Sequence, residues 1–167
     1  IAPEQEENIL ICGTKGGYLA ALISWLVGRK GRVWCLDWQE EIIDHARSAF
    51  AKYPKLTKRV NLKHQEDITN GVESEVPWDA VIVNGAIPKV PTELLHQLAE
   101  DGRLLFFLSG QETDEAHLIR KNETIEKMDF ATGSFRFTQV PGDKHGFDDI
   151  NKLQELYKNA RARINAE

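Results

Sequence analysis

The stretch from Asn8 to Ala21, reading NILICGTKGGYLAA, restricts the possible folds more than any other part of the chain. Ile9, Leu10, Ile11 and Cys12 are consecutive apolar residues, too few for a helix and ended by Gly13, which suits a strand buried on both faces. From Tyr18 onward, Leu19, Ala21, Leu22, Trp25, Leu26 and Val27 recur at helical spacing until Gly28 stops the pattern. A buried strand that turns through glycines into a helix gathers backbone donors and a positive dipole end at one point. That point suits a polar or anionic ligand group, and an unliganded tight turn has the same pattern. Two other glycine motifs are excluded. Lys15 is followed by Gly16 where a phosphate-binding loop needs Ser or Thr, and Lys15 occupies the middle glycine position of the dinucleotide fingerprint.

The rest of the chain repeats the alternation. Val33–Leu36 is a second apolar run ending at Asp37, followed by a helical stripe of Ile42, Ile43, Ala46, Phe50 and Tyr53 with Pro54 as its stop. Val60–Leu62 is a short third strand, and the polar stretch from Gln65 to Glu75 has no periodicity. Asp79–Asn84 reads as a fourth strand, Leu94, Leu95 and Leu98 as a short helix ending near Gly102, and Arg103–Leu108 as a fifth strand. His117–Arg120 and Phe135–Val140 look like an antiparallel pair. Asp148–Ile164 carries Ile150, Leu153, Tyr157 and Ile164 on one face of a terminal helix. This order predicts a Rossmann-like α/β fold: an open, mostly parallel, seven-stranded sheet with helices on both faces and an antiparallel C-terminal edge hairpin. Residues 1–146 form the expected Rossmann-like domain, with 147–167 an amphipathic helix appended to it.

At 167 residues the chain is long enough for one well-buried core, and its net charge of −5 gives no indication of nucleic acid as a partner. No apolar run reaches the length of a membrane span, and IAPEQEEN at the start lacks the features of a signal peptide. Cys12 and Cys35 both fall in apolar runs and read as buried free thiols, which favours a reducing compartment such as cytoplasm or mitochondrial matrix. His45, His64, His96, His117 and His145 have no metal-ligand spacing, so no metal site is expected. No Gly-x-Ser-x-Gly elbow supports a hydrolase.

In open α/β sheets, ligands bind outside the carboxyl ends of the strands where the strand order reverses, so Gly13–Gly17, Asp37, Asp67, Asn84 and Ser109 are the residues to consider. Asp37 lies about 20 residues past the glycine turn, where a carboxylate accepts from ribose hydroxyls; a helix cap is the other reading. Asp67 is placed to accept from a purine amine or to stand as a solvated loop carboxylate. Trp38 either covers a base or packs as a buried aromatic.

With these residues in view, the chain resembles the class I S-adenosylmethionine-dependent methyltransferases, and within them the protein-L-isoaspartate O-methyltransferase family. The similarity runs from about Asn8 to Pro141. It is carried by CGTKGGYLAAL from Cys12, GRVWCLD from Gly31, PWDAVIVNGAIPKVPTELLHQL from Pro77 and DGRLLFFLSG from Asp101. The resemblance implies S-adenosylmethionine as cofactor, with Gly13, Thr14, Gly17 and Tyr18 under its methionine end, Asp37 on the ribose and Asp67 on the adenine edge. Trp38 and Asn84 complete the expected cofactor-binding set. No catalytic residue is identified. The family pattern has an acid where this chain has Ile11, glycine where it has Lys15, and Gly-Asp-Gly where it has Glu66-Asp67-Ile68. The family's substrate-binding segment upstream of the first strand has no counterpart here. These departures lead to the expectation of a methyltransferase-fold protein without catalysis, acting as a binding or scaffolding subunit of a larger assembly. The alternative is an active carboxyl O-methyltransferase acting on isoaspartyl residues of proteins. In either case a protein is the expected partner or substrate.

Overall fold

The computed structural model describes residues 1–111, 113–121 and 124–128, together with Glu155. Seven strands form one sheet in the order β3-β2-β1-β4-β5-β6-β7. β1 (Asn8–Cys12), β2 (Arg32–Asp37), β3 (Val60–His64), β4 (Trp78–Ile87) and β5 (Leu98–Leu108) run parallel, while β6 (Glu115–Arg120) and β7 (Thr124–Met128) are antiparallel. The expected Rossmann-like sheet is therefore present. Its chain order reverses between β1 and β4, both of which emerge from the centre of the sheet.

The two faces have separate cores. Ile9, Ile11, Val33 and Cys35 point to the side covered by α1 (Tyr18–Leu26), whose Ala20 and Ile23 join them. Leu10, Cys12 and Leu36 point to the other side, packed with Trp78, Phe106 and the Leu94–Leu95 pair of α4 (Thr92–His96). This two-sided burial is the reason the central strands read as unbroken apolar runs. It also separates the two thiols: Cys12 and Cys35 belong to opposite cores, and both are free. Burial pushes both thiols well above their ordinary value, so neither is a ready nucleophile.

Several boundaries differ from the sequence reading. α2 (Glu40–Ala51) ends before Pro54, and Pro54 then opens a new short helix, α3 (Pro54–Thr57), at its first position. A missing N–H costs nothing there, so the same residue serves as a start signal. The helix expected through Leu98 stops at His96, because Leu98 pairs with Trp78 as the first residue of β5. β4 extends beyond Asp79–Asn84 in both directions and is interrupted by a register shift between Ile82 and Ala86. Gln65–Glu75, without periodicity, contains two short 3₁₀ turns at Ile68–Asn70 and Glu73–Glu75. The partner of β6 is Thr124–Met128 in place of Phe135–Val140; the latter lies outside the described residues, as does the Asp148–Ile164 helix apart from Glu155.

The amino edge of the sheet is fastened by one ion pair. Arg103 in β5 donates through both terminal nitrogens to the Glu7 carboxylate at 2.8 Å, and its Nε donates to the Ile1 carbonyl at 2.7 Å. The side chains are only 11% and 13% exposed, so the two-pronged geometry acts with little solvent screening. Burial raises the Glu7 carboxyl, but hydrogen bonding to Arg103 and the Glu4 amide outweighs it and leaves Glu7 below its ordinary value. A depressed carboxylate contributes stability above its unfolded pKa and loses it as pH falls through the folded value. Glu7→Gln is therefore expected to lower stability at pH 7 by about 1–2 kcal/mol, between the values for exposed and buried pairs. In urea unfolding, the gap between variant and parent should close as pH falls below about 4.

Candidate functional site

The turn from Gly13 to Gly17 is built around one carboxylate. Asp37, at the end of β2 and 2% exposed, accepts through Oδ2 from the Thr14 amide at 2.8 Å and the Lys15 amide at 3.3 Å. Its Oδ1 accepts from the Gln39 amide at 3.1 Å, just ahead of α2. Thr14 Oγ1 donates to the Leu36 carbonyl at 3.1 Å, and the Gly13 amide donates to the same carbonyl at 2.8 Å. The β1–α1 turn is thereby sewn to the end of β2.

The glycines are needed for conformation and for space. Gly13 has φ +102°, and a Cβ there would lie 3.1 Å from the Asn84 carbonyl oxygen. Gly17 has φ +78°, and a Cβ would lie 2.7 Å from the Phe50 ring. Asn84, within the irregular part of β4, donates from Nδ2 to the Gly13 carbonyl at 3.1 Å and ties β4 to the turn.

Asp67 follows β3 and is held by a set of side-chain contacts. Its Oδ1 accepts from the Thr69 amide at 3.0 Å and the Thr69 hydroxyl at 2.6 Å, and its Oδ2 makes no hydrogen bond among the described residues. Gln65 Nε2 donates to the Asp67 carbonyl at 2.8 Å, and the Gln65 amide donates to the Asp37 carbonyl at 3.0 Å. Gln97, part of the family-like stretch from Pro77 to Leu98 but assigned no role there, clamps the far end of this loop by donating to the Asn70 carbonyl and accepting from the Val72 amide and the Trp78 indole. Trp38 is half-buried and packs against the core on the α4 side.

The structure thus brings Gly13, Thr14, Gly17, Asp37, Trp38, Asp67 and Asn84 to the carboxyl ends of β1, β2, β3 and β4, around the point where the strand order reverses. Tyr18 stands apart: its side chain is 80% exposed and lines a groove on the outer side of α1. The amides of Thr14 and Lys15 are also not available to an anionic ligand, because Asp37 already takes them. A pyrophosphate would have to compete with a buried carboxylate for these donors. A nucleoside, whose hydroxyls donate, fits the acceptor-rich end better. A carboxylate accepts about four hydrogen bonds, and three of these positions on Asp37 are taken by backbone amides.

Two supposed defects change meaning. Lys15 adopts φ +49°, the left-handed conformation a glycine would supply, so the turn keeps its shape with a lysine in it. Ile11 is 1% exposed and packs in the core with Ile9, Ala20 and Ile23.

This sheet order, with its glycine turn and acidic strand end, defines a class I S-adenosylmethionine-dependent methyltransferase fold. Residues 3–145 match the family model for protein-L-isoaspartate(D-aspartate) O-methyltransferase, and the chain belongs to that family. The protein-L-isoaspartate O-methyltransferase of Flavobacterium johnsoniae is 34% identical over 143 residues, covering 85% of this chain and 63% of the relative. That of Methanopyrus kandleri is 30% identical over 149 residues, covering 88% and 64%. The chain therefore spans less than two-thirds of the length of these relatives. Among solved structures, a protein-L-isoaspartate O-methyltransferase superposes with a TM-score of 0.73 at 23% identity, covering 86% of this chain and 44% of that one. A Plasmodium falciparum structure described as a protein-L-isoaspartate O-methyltransferase in complex with S-adenosyl-L-homocysteine gives 0.70 at 18% identity, covering 84% and 68%. Both share the fold.

Substitutions at the two departures should move stability in opposite directions. Lys15→Gly removes a left-handed lysine and is expected to raise stability by up to about 1 kcal/mol, the steric gain being partly offset by unfolded-state entropy. Ile11→Glu places a carboxyl in an apolar core and should cost several kcal/mol or protonate the acid. Denaturant midpoints of the two variants provide the check.

Proposed function

We propose that this chain is the cofactor-binding domain of an active S-adenosylmethionine-dependent carboxyl O-methyltransferase that acts on isoaspartyl residues of proteins. The observation that carries this reading is the glycine turn locked onto Asp37 at the reversal point of the sheet. Family membership over residues 3–145 supports the substrate class, and the S-adenosyl-L-homocysteine complex of the Plasmodium structure supports the cofactor. The reading of a non-catalytic scaffold rested on Ile11, Lys15 and the upstream segment. Ile11 is a core residue and Lys15 keeps the glycine conformation, so neither favours it.

In this proposal Asp37 Oδ1 accepts from one ribose hydroxyl, and the open Oδ2 of Asp67 accepts from the adenine amine. Trp38 lies against the base, while Gly13, Thr14 and Gly17 let the backbone approach the methionine end. Asn84 holds the carbonyl of Gly13 away from the ligand. When bound, S-adenosylmethionine would supply a methyl already activated on a sulfonium: a substrate carboxylate oxygen would bond to the methyl carbon as its bond to sulfur breaks, leaving neutral S-adenosylhomocysteine. The isoaspartyl carboxylate is ionised at neutral pH and needs no general base, so the chain contributes by positioning.

Calorimetric titration of the chain with S-adenosyl-L-homocysteine is expected to give micromolar affinity, and Asp67→Ala should weaken it about tenfold through loss of one buried hydrogen bond. No heat at millimolar ligand would retire the cofactor site and restore the scaffold reading. If the ligand binds, transfer of labelled methyl groups to an isoaspartyl peptide tests the substrate.

A further inference from the structure

The helix α1 is apolar on two sides. Ala20, Ile23 and Val27 are buried against the sheet, yet Tyr18, Leu22 and Trp25, at positions i, i+4 and i+7, are 80%, 40% and 67% exposed. A helix apolar around most of its circumference is the pattern of one covered from both sides. Opposite the outer stripe stand Phe50 from the end of α2, Tyr53 from the turn that caps α3 and Leu56 from α3, lining a groove of about 460 Å³. Ser24, fully buried, donates to the Leu56 carbonyl at 2.9 Å and fixes α1 against α3, so the groove has a rigid floor.

The chemistry changes where the groove runs out. Lys55 lies beside Leu56 on α3, Lys58 and Arg59 follow it, and Arg29 lies one turn beyond Trp25; these four residues line an adjoining pocket of about 640 Å³. None of the four side chains takes part in an ion pair or hydrogen bond among the described residues, and Arg59 Nε is buried without a partner. The chain as a whole carries a net charge of −5, so four cations without partners among the described residues, at one end of an apolar groove, are a local reversal of its charge.

We infer that the face formed by α1, the end of α2 and α3 docks an acidic amphipathic segment of a partner protein. Its apolar side chains lie between Trp25 and Tyr53, and its carboxylates lie on the Arg29, Lys55, Lys58 and Arg59 cluster. Helix-in-groove recognition supplies the apolar part, and charge complementarity sets the orientation. The inference does not depend on the methyltransferase reading, because none of these residues belongs to the Asp37 site.

The test uses fluorescein-labelled synthetic 18-residue helices with leucines at i, i+3, i+4 and i+7. Four glutamates are placed at one end or the other, with matched peptides carrying four lysines. Fluorescence polarisation against the 167-residue chain is expected to show one glutamate peptide binding at least tenfold tighter than its lysine counterpart. The preference should shrink as salt is raised and vanish in Lys55→Glu/Lys58→Glu, while Leu22→Ala/Trp25→Ala weakens binding of every peptide. All four substitutions are at the surface, and circular dichroism verifies that the variants fold. Equal binding of acidic and basic peptides, or binding of neither, overturns the inference. So does a concentration-dependent dimer in sedimentation that Leu22→Ala/Trp25→Ala abolishes, since the occupant would then be a second copy of the chain.

Discussion

The carboxylate of Asp37 is the constraint on which the rest of the site depends. Two consecutive amides, those of Thr14 and Lys15, converge on one of its oxygens, and the amide leading into α2 converges on the other. Without that negative charge the turn would expose buried N–H groups at the positive end of α1, and each would carry a desolvation penalty of about 1–3 kcal/mol. With it, the loops leaving β1 and β2 become one rigid body. The amide of Gln65 on the Asp37 carbonyl adds the loop leaving β3, so three strand ends are mutually located by one residue and its backbone. A ligand site assembled from three loops gains precision from such a hub, because the loops need not be ordered when the ligand arrives.

Much of this architecture is visible in the sequence. Strands buried on both faces leave continuous apolar runs, so β1, β2 and the second half of β5 are legible, and the spacing from the glycine turn to Asp37 locates two sides of the site. What Asp37 does there is less legible. A residue count gives the distance to the turn, but it does not reveal that the short side chain folds back onto backbone amides. Boundaries set by pairing are equally hidden. Leu98 has the periodicity of the helix before it, and only its bridge to Trp78 makes it a strand residue. Gln97 stands in the stretch that carries the family resemblance, but its clamping role is hidden, since it depends on a loop from 25 residues earlier reaching it.

Ile11 and Lys15 show a different kind of misreading. Compared with a family pattern, each looks like the loss of a functional residue, because a pattern compares side chains. The structure separates the two cases. At Lys15 the property that matters is a left-handed backbone, which lysine can adopt at a cost of about 1–2 kcal/mol. At Ile11 the side chain faces α1 within an apolar core, and isoleucine is well suited to that place. Departure from a pattern becomes evidence about activity only after the environment of the residue is known.

The distribution of strain and fastening follows from the sheet. At the amino edge, Arg103 and Glu7 close the structure with a two-pronged ion pair. At the carboxyl edge the backbone takes left-handed conformations at Gly13, Lys15 and Gly17 within five residues. α1 begins at the strained turn, anchors its inner face to the core, and is capped at its end by Val27, whose carbonyl accepts from the Glu6 amide at 2.7 Å. Gly16 and Gly17 line the outer groove as well as belonging to the turn, so an occupant of that groove would press on the same backbone that shapes the site. Because Gly17 leaves no room beside Phe50, displacement of the ring would be felt at the turn directly. The outer face of α1 and the Asp37 site are therefore mechanically adjacent even though they share no functional side chain.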